Sequence, residues 1–302
     1  MPGDVVRCEG LTKDFGGGRG VFDLHLTVSG GQVFGFLGPN GAGKSTTIRM
    51  LMGLYRPSAG SASVLGLDAV QDGPALRARV GYLPGELALY PQLTGREILD
   101  RLGRIRGRTE PRLRRELVDR FQAELDRPVR TLSKGNRQKI GLILAFMHAP
   151  DLLVLDEPTS GLDPLLQKEF ADLLEESLTR GASVFLSSHD LDEVQRLAHQ
   201  IAIIRQGRLV LVDTVEGLRA RAPRTITLRC RDLLEPEAFA GLPGVQVLQS
   251  IGHTITVTVD GEVGPLLATA VPFDVVDIEA RPADLDELFR TFYTTPEAIG
   301  VR

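Results

Sequence analysis

Apolar residues in the first 37 positions alternate with polar ones or run in short blocks broken by glycine, which predicts strands over residues 5–9, 21–28 and 32–37. The block Val33-Phe-Gly-Phe-Leu37 is apolar throughout, as in a strand covered on both faces. After it, Thr46-Thr-Ile-Arg-Met-Leu-Met52 reads as a helix. Short strands are expected over 62–65 and 80–83. The pattern then turns helical. Thr94-x-x-Glu97 is a capping box opening a helix over 98–105. Further helices are expected over 113–123 and 134–147, the last apolar at Ile140, Ile143, Leu144 and Met147. Alternation resumes with a strand over 152–155, helices near 165–178 and 191–197, and strands over 183–187, 201–205 and 209–212. The predicted class is α/β, with a helical insertion between about residues 90 and 145.

Arg219-Ala-Arg-Ala-Pro223 has the composition of a linker. Beyond it the order is strand 225–229, helix 235–242, strands 245–250 and 254–259, helix 264–271 and strand 275–279. That β-α-β-β-α-β series is a ferredoxin-like order. A closing helix is expected over 284–293, with Pro282 and Asp284 at its start and Leu285, Leu288 and Phe289 on one face. The reading therefore gives two domains, residues 1–221 and a small α+β accessory or regulatory domain over 222–302, as a chain of 302 residues allows.

A hydrophobic share of 42% with 25% charged residues is a globular balance and excludes a fibrous or disordered chain. The longest apolar run, Ile140 to Met147, is stopped by His148 and Pro150, far short of the ~18 residues a membrane span needs. The opening Met-Pro-Gly-Asp has no basic stretch leading into an apolar one, so no signal peptide is expected. Cys8 and Cys230 stand too far apart for a metal-binding spacing and read as reduced core residues. The net charge of −4 is uneven: residues 222–302 hold six basic and twelve acidic side chains, −6, which leaves +2 for the rest. Arginines crowd residues 96–130, but Glu110, Glu116 and Asp119 interleave with them and no aromatic platform accompanies them. They read as a solvated helix face, and no nucleic-acid partner is expected.

The chemistry begins at Gly38-Pro39-Asn40-Gly41-Ala42-Gly43-Lys44-Ser45-Thr46, which fits G-x-x-x-x-G-K-[ST] between a strand and a helix. The glycines let backbone N–H groups face phosphates, and the helix N-terminus adds partial positive charge. Lys44 would reach the β- and γ-phosphates and the Ser45 hydroxyl would ligate Mg²⁺. In Leu152-Leu-Val-Leu-Asp156-Glu157-Pro158, Asp156 ends a buried strand and can hold Mg²⁺, and Glu157 can take a proton from an attacking water. Leu132-Ser133-Lys134-Gly135-Asn136-Arg137-Gln138 opens a helix with Ser133 as N-cap. Its hydroxyl, the Gly135 backbone and the helix dipole form a second anion site, suited to a γ-phosphate from another subunit. Ser160-Gly161-Leu162-Asp163 follows, and His189 ends the strand Val184-Phe-Leu-Ser-Ser188.

This ordered set, over roughly residues 4–220, resembles the ATP-binding subunit of ABC transporters. By that resemblance Gly38–Thr46 correspond to Walker A, Leu132–Gln138 to the signature, Asp156 and Glu157 to Walker B, Ser160–Asp163 to the D-loop and His189 to the switch histidine. Phe15 corresponds to the aromatic that stacks on adenine. The resemblance implies an ATPase that sandwiches two MgATP between two head-to-tail copies. Signature residues Ser133, Gly135 and Asn136 would close on the opposite nucleotide. It also implies a separate multi-span membrane subunit, and a cytoplasmic place on the inner face of the cell membrane. Residues 87–95 and Leu285-Asp-Glu-Leu-Phe289 are similar to the drug and multidrug export branch. Two departures stand out. The signature reads Leu-Ser-Lys-Gly-Asn where the family has Leu-Ser-Gly-Gly-Gln. After Val80-Gly-Tyr-Leu-Pro84 the family's glutamine is replaced by Gly85-Glu86, leaving Glu86 or a water to substitute. Two alternatives stay open. A soluble ABC ATPase acting on ribosomes or DNA would carry two phosphate loops or a long coiled coil, and a small-molecule kinase would not need the Ser133 segment.

Overall fold

The computed structural model describes residues 3–107, 110–221 and 223–281, which fall into two compact units, 1–212 and 213–302. The first opens with β1 (Asp4–Asp14), β2 (Gly20–Ser29) and β3 (Val33–Leu37), then α1 (Lys44–Leu51), β4 (Ala59–Val64), β5 (Leu67–Asp68), α2 (Gly73–Arg79) and β6 (Val80–Leu83). The insertion holds α3 (Gly95–Arg106), α4 (Pro111–Phe121) and α5 (Lys134–Phe146). Then come β7 (Leu152–Asp156), α6 (Pro164–Thr179), β8 (Ser183–Ser188), α7 (Leu191–Leu197), β9 (Gln200–Arg205) and β10 (Arg208–Thr214), whose last two residues, with α8 (Val215–Arg221), already fall in the second unit.

Two sheets follow from two kinds of sequence pattern. β2 alternates buried and exposed positions and joins the antiparallel sheet β2-β1-β4-β5, one face of which meets the core. β3, β7 and β8 are buried at every position and lie inside the six-stranded sheet β10-β9-β3-β8-β7-β6. Both faces of a parallel sheet are covered, so such strands read as unbroken apolar runs. Phe34 and Phe36 pack on Phe185 of the neighbouring strand, with ring centroids 5.5 and 5.4 Å apart. The register is what matters for function. Leu37 pairs with Ser188 and Asp156 with Ser187. The carboxyl ends of β3, β8 and β7 are therefore level, and the loops leaving them emerge side by side. Ligands of open α/β sheets bind at such ends.

In the insertion, Thr94 Oγ1 accepts from Glu97 N while Glu97 takes the Thr94 N–H, which closes the expected capping box. Those bonds to the carboxylate hold the Glu97 acid below its usual range. Three arginines of this region are paired with carboxylates: Arg114 with Asp100, Arg120 with Glu169 and Glu176, Arg96 with Asp126.

The second unit contains β11 (Arg224–Cys230), α9 (Glu237–Ala240), β12 (Val245–Ile251), β13 (Thr254–Val259), α10 (Gly264–Ala270) and β14 (Val275–Arg281). The antiparallel sheet order β12-β13-β11-β14 gives the ferredoxin-like topology. Ile226, Leu228, Ile255 and Val257 point to one face, where Phe239 of α9 and Leu266 of α10 complete the core.

Three readings need correction. The linker pattern at 219–223 is helical over its first three residues, because the Thr214 hydroxyl accepts the Gly217 N–H and starts α8. Pro236 precedes α9, which covers only four of the eight positions expected. Helix α2 was not anticipated at all. The helix expected over 284–293 lies outside the described residues.

Candidate active site

The loop leaving β3 is built so that its backbone, not its side chains, faces the cleft. A Cβ on Gly38 would sit 2.4 Å from the Ile204 carbonyl, and Gly43, the N-cap of α1, holds φ +112°, a conformation other residues rarely adopt. α1 has no acidic residue in its first turn, so its partial positive charge is uncancelled. Lys44 is 6% exposed, and its Nζ donates to the Gly38 carbonyl at 2.6 Å. Pro39, Asn40, Gly41, Gly43, Lys44, Ser45 and Thr46 line a cleft of about 600 Å³. Gly38 and Ala42 lie beneath it: Ala42 is buried and its carbonyl accepts from Gly207 N.

The opposite wall comes from β7 and β8. Asp156 lies buried behind this wall and is not among the residues lining the cleft, with Oδ1 accepting from the Ser187 hydroxyl. Its Oδ2 faces Gly85, where a Cβ would come within 3.0 Å. Glu157 takes a left-handed backbone, φ +53°, uncommon for a non-glycine residue and frequent where a site holds strain. The turn is held by Gln138 of α5, whose amide donates to the Pro158 carbonyl at 2.9 Å. So placed, Glu157 Oε1 lies 3.3 Å from Lys44 Nζ and Oε2 2.7 Å from His189 Nδ1. Its carboxylate thus joins the phosphate loop to the histidine. Phe15, 47% exposed, stands at the far end of the cleft, edge-on to Tyr55 with centroids 5.9 Å apart.

The structure adds cleft residues that sequence reasoning missed. Arg19 enters from the glycine-rich loop between β1 and β2. Arg49 lies one turn beyond Ser45 on α1, a spacing that would have flagged it, and bonds the Tyr55 hydroxyl at 3.2 Å. Gln206 also borders the space, as do Gly85 and Glu86, which the sequence had marked as standing in place of the family's glutamine.

Ser133, Gly135 and Asn136 are not among the residues lining the cleft. They form the N-terminus of α5, where the Ser133 hydroxyl accepts from Asn136 N at 3.1 Å. Gly135 approaches the Gly161 carbonyl, and Lys134 Nζ donates to Ser160 Oγ, so this helix start packs on the 160–163 turn. The Asn136 side chain is engaged within the fold. Its Oδ1 accepts from Glu124 N at 2.8 Å and its Nδ2 donates to Glu124 O at 2.7 Å, which commits both ends of the amide to the fold.

Residues 21–160 match the family model described as ABC transporter. The chain is 38% identical over 238 residues to the daunorubicin/doxorubicin resistance ATP-binding protein of Streptomyces peucetius, covering 77% of this chain and 72% of that one. The chain belongs to the ABC transporter family. It is an ATP-binding subunit of that family, and its domain binds and hydrolyses ATP. A second relative of this ATPase, the Nod factor export ATP-binding protein of Cupriavidus metallidurans, is 32% identical over 297 residues, 94% of this chain and 96% of that one. That match runs through the second unit as well. Among solved structures, an ATP-binding subunit of an ABC transporter superposes with TM-score 0.64 at 31% identity, over 71% of this chain and 92% of that one. A dimeric bacterial ABC transporter cassette shares the fold, with TM-score 0.63 at 20% identity over 70% and 98% of the two chains.

Proposed function

We propose that ATP binding closes two copies of this subunit head to tail and that hydrolysis reopens them, driving a separate multi-span membrane subunit in export. The reading is carried by the Glu157 carboxylate, set between Lys44 and His189 at 3.3 and 2.7 Å on the cleft wall. In the closed state Lys44 and the α1 N-terminus hold the β- and γ-phosphates, and Phe15 stacks on the base. Glu157 takes the proton of the attacking water, and His189, oriented through Nδ1 by Glu157, bonds a γ-phosphate oxygen through its other nitrogen. Ser133 and Gly135, remote from their own chain's cleft, would complete the cleft of the second copy. Asn136 contributes there through the α5 backbone only.

The residues fit Mg²⁺. A hard cation takes oxygen donors, and the Ser45 hydroxyl and the Asp156 carboxylate would hold it. Ser187 engages the Asp156 Oδ1, and the absence of a side chain at Gly85 leaves room beside Oδ2. When bound, the ion would neutralise phosphate charge. Among the described residues no cluster of three His, Cys, Asp or Glu could hold a metal by protein ligands alone, which suits an ion shared with the nucleotide. Glu86 borders the cleft in place of the family's glutamine.

No helix of the described residues is long and apolar enough to cross a membrane. By its family resemblance the subunit would sit at the cytoplasmic face through a membrane partner. Several relatives support the export reading by their names: daunorubicin resistance and bacitracin transport ATP-binding proteins match this chain over 72% or more of its length. The test is Glu157→Gln. It should retain MgATP binding and lower turnover by about 10²- to 10⁴-fold. Turnover at the normal rate would show that Glu157 is not the base.

A further inference from the structure

Behind the cleft wall lies a buried carboxylate that the hydrolytic reading does not use. Glu193 is 4% exposed and sits in the first turn of α7. Asp190-x-x-Glu193 has the spacing of a capping box, and half of the box is present: Asp190 Oδ1 accepts from Glu193 N at 3.1 Å. The other half is not closed by Glu193. The Asp190 N–H goes instead to the Ser188 hydroxyl at 3.0 Å, and the glutamate reaches outward in two directions. Its Oε1 accepts from Thr159 Oγ1 at 2.6 Å and its Oε2 from Ser188 Oγ at 2.5 Å.

Those two hydroxyls occupy informative places. Thr159 lies two residues after Glu157, in the turn that leads to the 160–163 loop. Ser188 is the last residue of β8 and immediately precedes His189. One carboxylate therefore spans the two segments that carry the Glu157–His189 pair. We propose that Glu193 is a positioning residue for hydrolysis, clamping the Thr159 turn to the Ser188 strand end so that His189 meets Glu157.

Capping needs no burial, and an exposed glutamate would do it. Burying a carboxylate is costly unless its oxygens are satisfied, and desolvation pushes the Glu193 acid above its usual range. Here both oxygens are satisfied by hydroxyls from segments 29 residues apart in sequence, Thr159 and Ser188. Glu157 itself has a left-handed backbone, a conformation that persists only when its surroundings over-determine it. The Gln138 amide fixes the turn at Pro158, and Glu193 fixes it one residue later. The Glu193 carboxylate does not border the cleft, so any effect on turnover passes through the residues it holds.

The inference rests on the hydrolytic reading above, and its test keeps the two apart. In the full-length protein, at a temperature well below its melting point, Glu193→Ala should lower kcat about tenfold or more while the Kd for MgATP stays within about twofold, because the phosphate loop is untouched. Glu193→Gln keeps an oxygen for Thr159 and an amide that a serine hydroxyl can accept from, and should restore kcat to within about threefold of the parent. If Glu193→Ala does not fold, Thr159→Val and Ser188→Ala each remove one arm of the clamp and should show the same split. Unchanged kcat in these variants, or a fall in MgATP affinity that matches the fall in kcat, would overturn the proposal. Glu157→Gln, assayed in parallel, identifies which idea has failed. If it is inactive while the Glu193 variants are normal, only the clamp is wrong.

Discussion

The two units of this chain bury different things. In the first, charged and polar side chains lie deep in the fold: Lys44, Asp156, Gln138, Ser187, Ser188 and Glu193. In the second, the buried residues among those described are apolar or cysteine, and the core is Ile, Leu, Val and Phe supplied by one sheet face and two short helices. Buried polar groups lower stability unless each is paired, so they persist where pairing serves another purpose. The first unit pairs them around the carboxyl ends of β3, β7 and β8, where the cleft lies. The second has the pattern of a domain whose interior answers only to packing, with its acidic groups on the outside. The residues that line the cleft all lie in the first unit.

This contrast breaks most visibly under core truncation. Phe239 is fully buried and meets Phe273 at 5.9 Å. Phe239→Ala should destabilise the second unit by about 3–5 kcal/mol. Thermal unfolding followed with and without MgATP should show an early transition that nucleotide does not shift, with ATP affinity unchanged. A matching loss of ATP affinity would show that the second unit belongs to the site. The converse substitution is Lys44→Ala. It removes a charged donor to phosphate worth about 1.5–3 kcal/mol, so affinity for ATP should fall roughly 10- to 100-fold with little change in the unfolding of the second unit. Equilibrium binding of a fluorescent ATP analogue measures it, and unchanged affinity would reject the phosphate-loop assignment. The smallest effect sharpens the boundary of the helical insertion. Thr94→Ala opens the capping box of α3 and should lower stability by about 1 kcal/mol while leaving kcat unaltered. Chemical denaturation would detect it.

The two units also differ in how far the sequence disclosed them. Unbroken apolar runs at 33–37 and 152–155 marked the buried strands of the parallel sheet, and what followed each run marked the site. Local rules sufficed there because the phosphate loop and the strand-end carboxylate are short, contiguous features. In the second unit period-two alternation was enough for the strand order, but not for α9, which runs for only four residues between Pro236 at its N-cap and Gly241 at its C-cap. What stayed hidden was long-range. Nothing local says that the Asn136 amide closes on Glu124, or that Glu193, spaced as a capping residue, reaches Thr159 instead. Asp190-x-x-Glu193 and Thr94-x-x-Glu97 follow the same rule, and only the second closes as the rule says. Tertiary partners decided the difference.

The central claim is that each active cleft takes its phosphate loop from one copy and its Ser133 helix from another, since Ser133 and Gly135 do not border the cleft of their own chain. Sedimentation of Glu157→Gln with and without MgATP tests it most directly. The account predicts a monomer without nucleotide, a dimer with MgATP, and a monomer under both conditions once Ser133→Arg is added. A Glu157→Gln protein that binds MgATP and remains monomeric would contradict it.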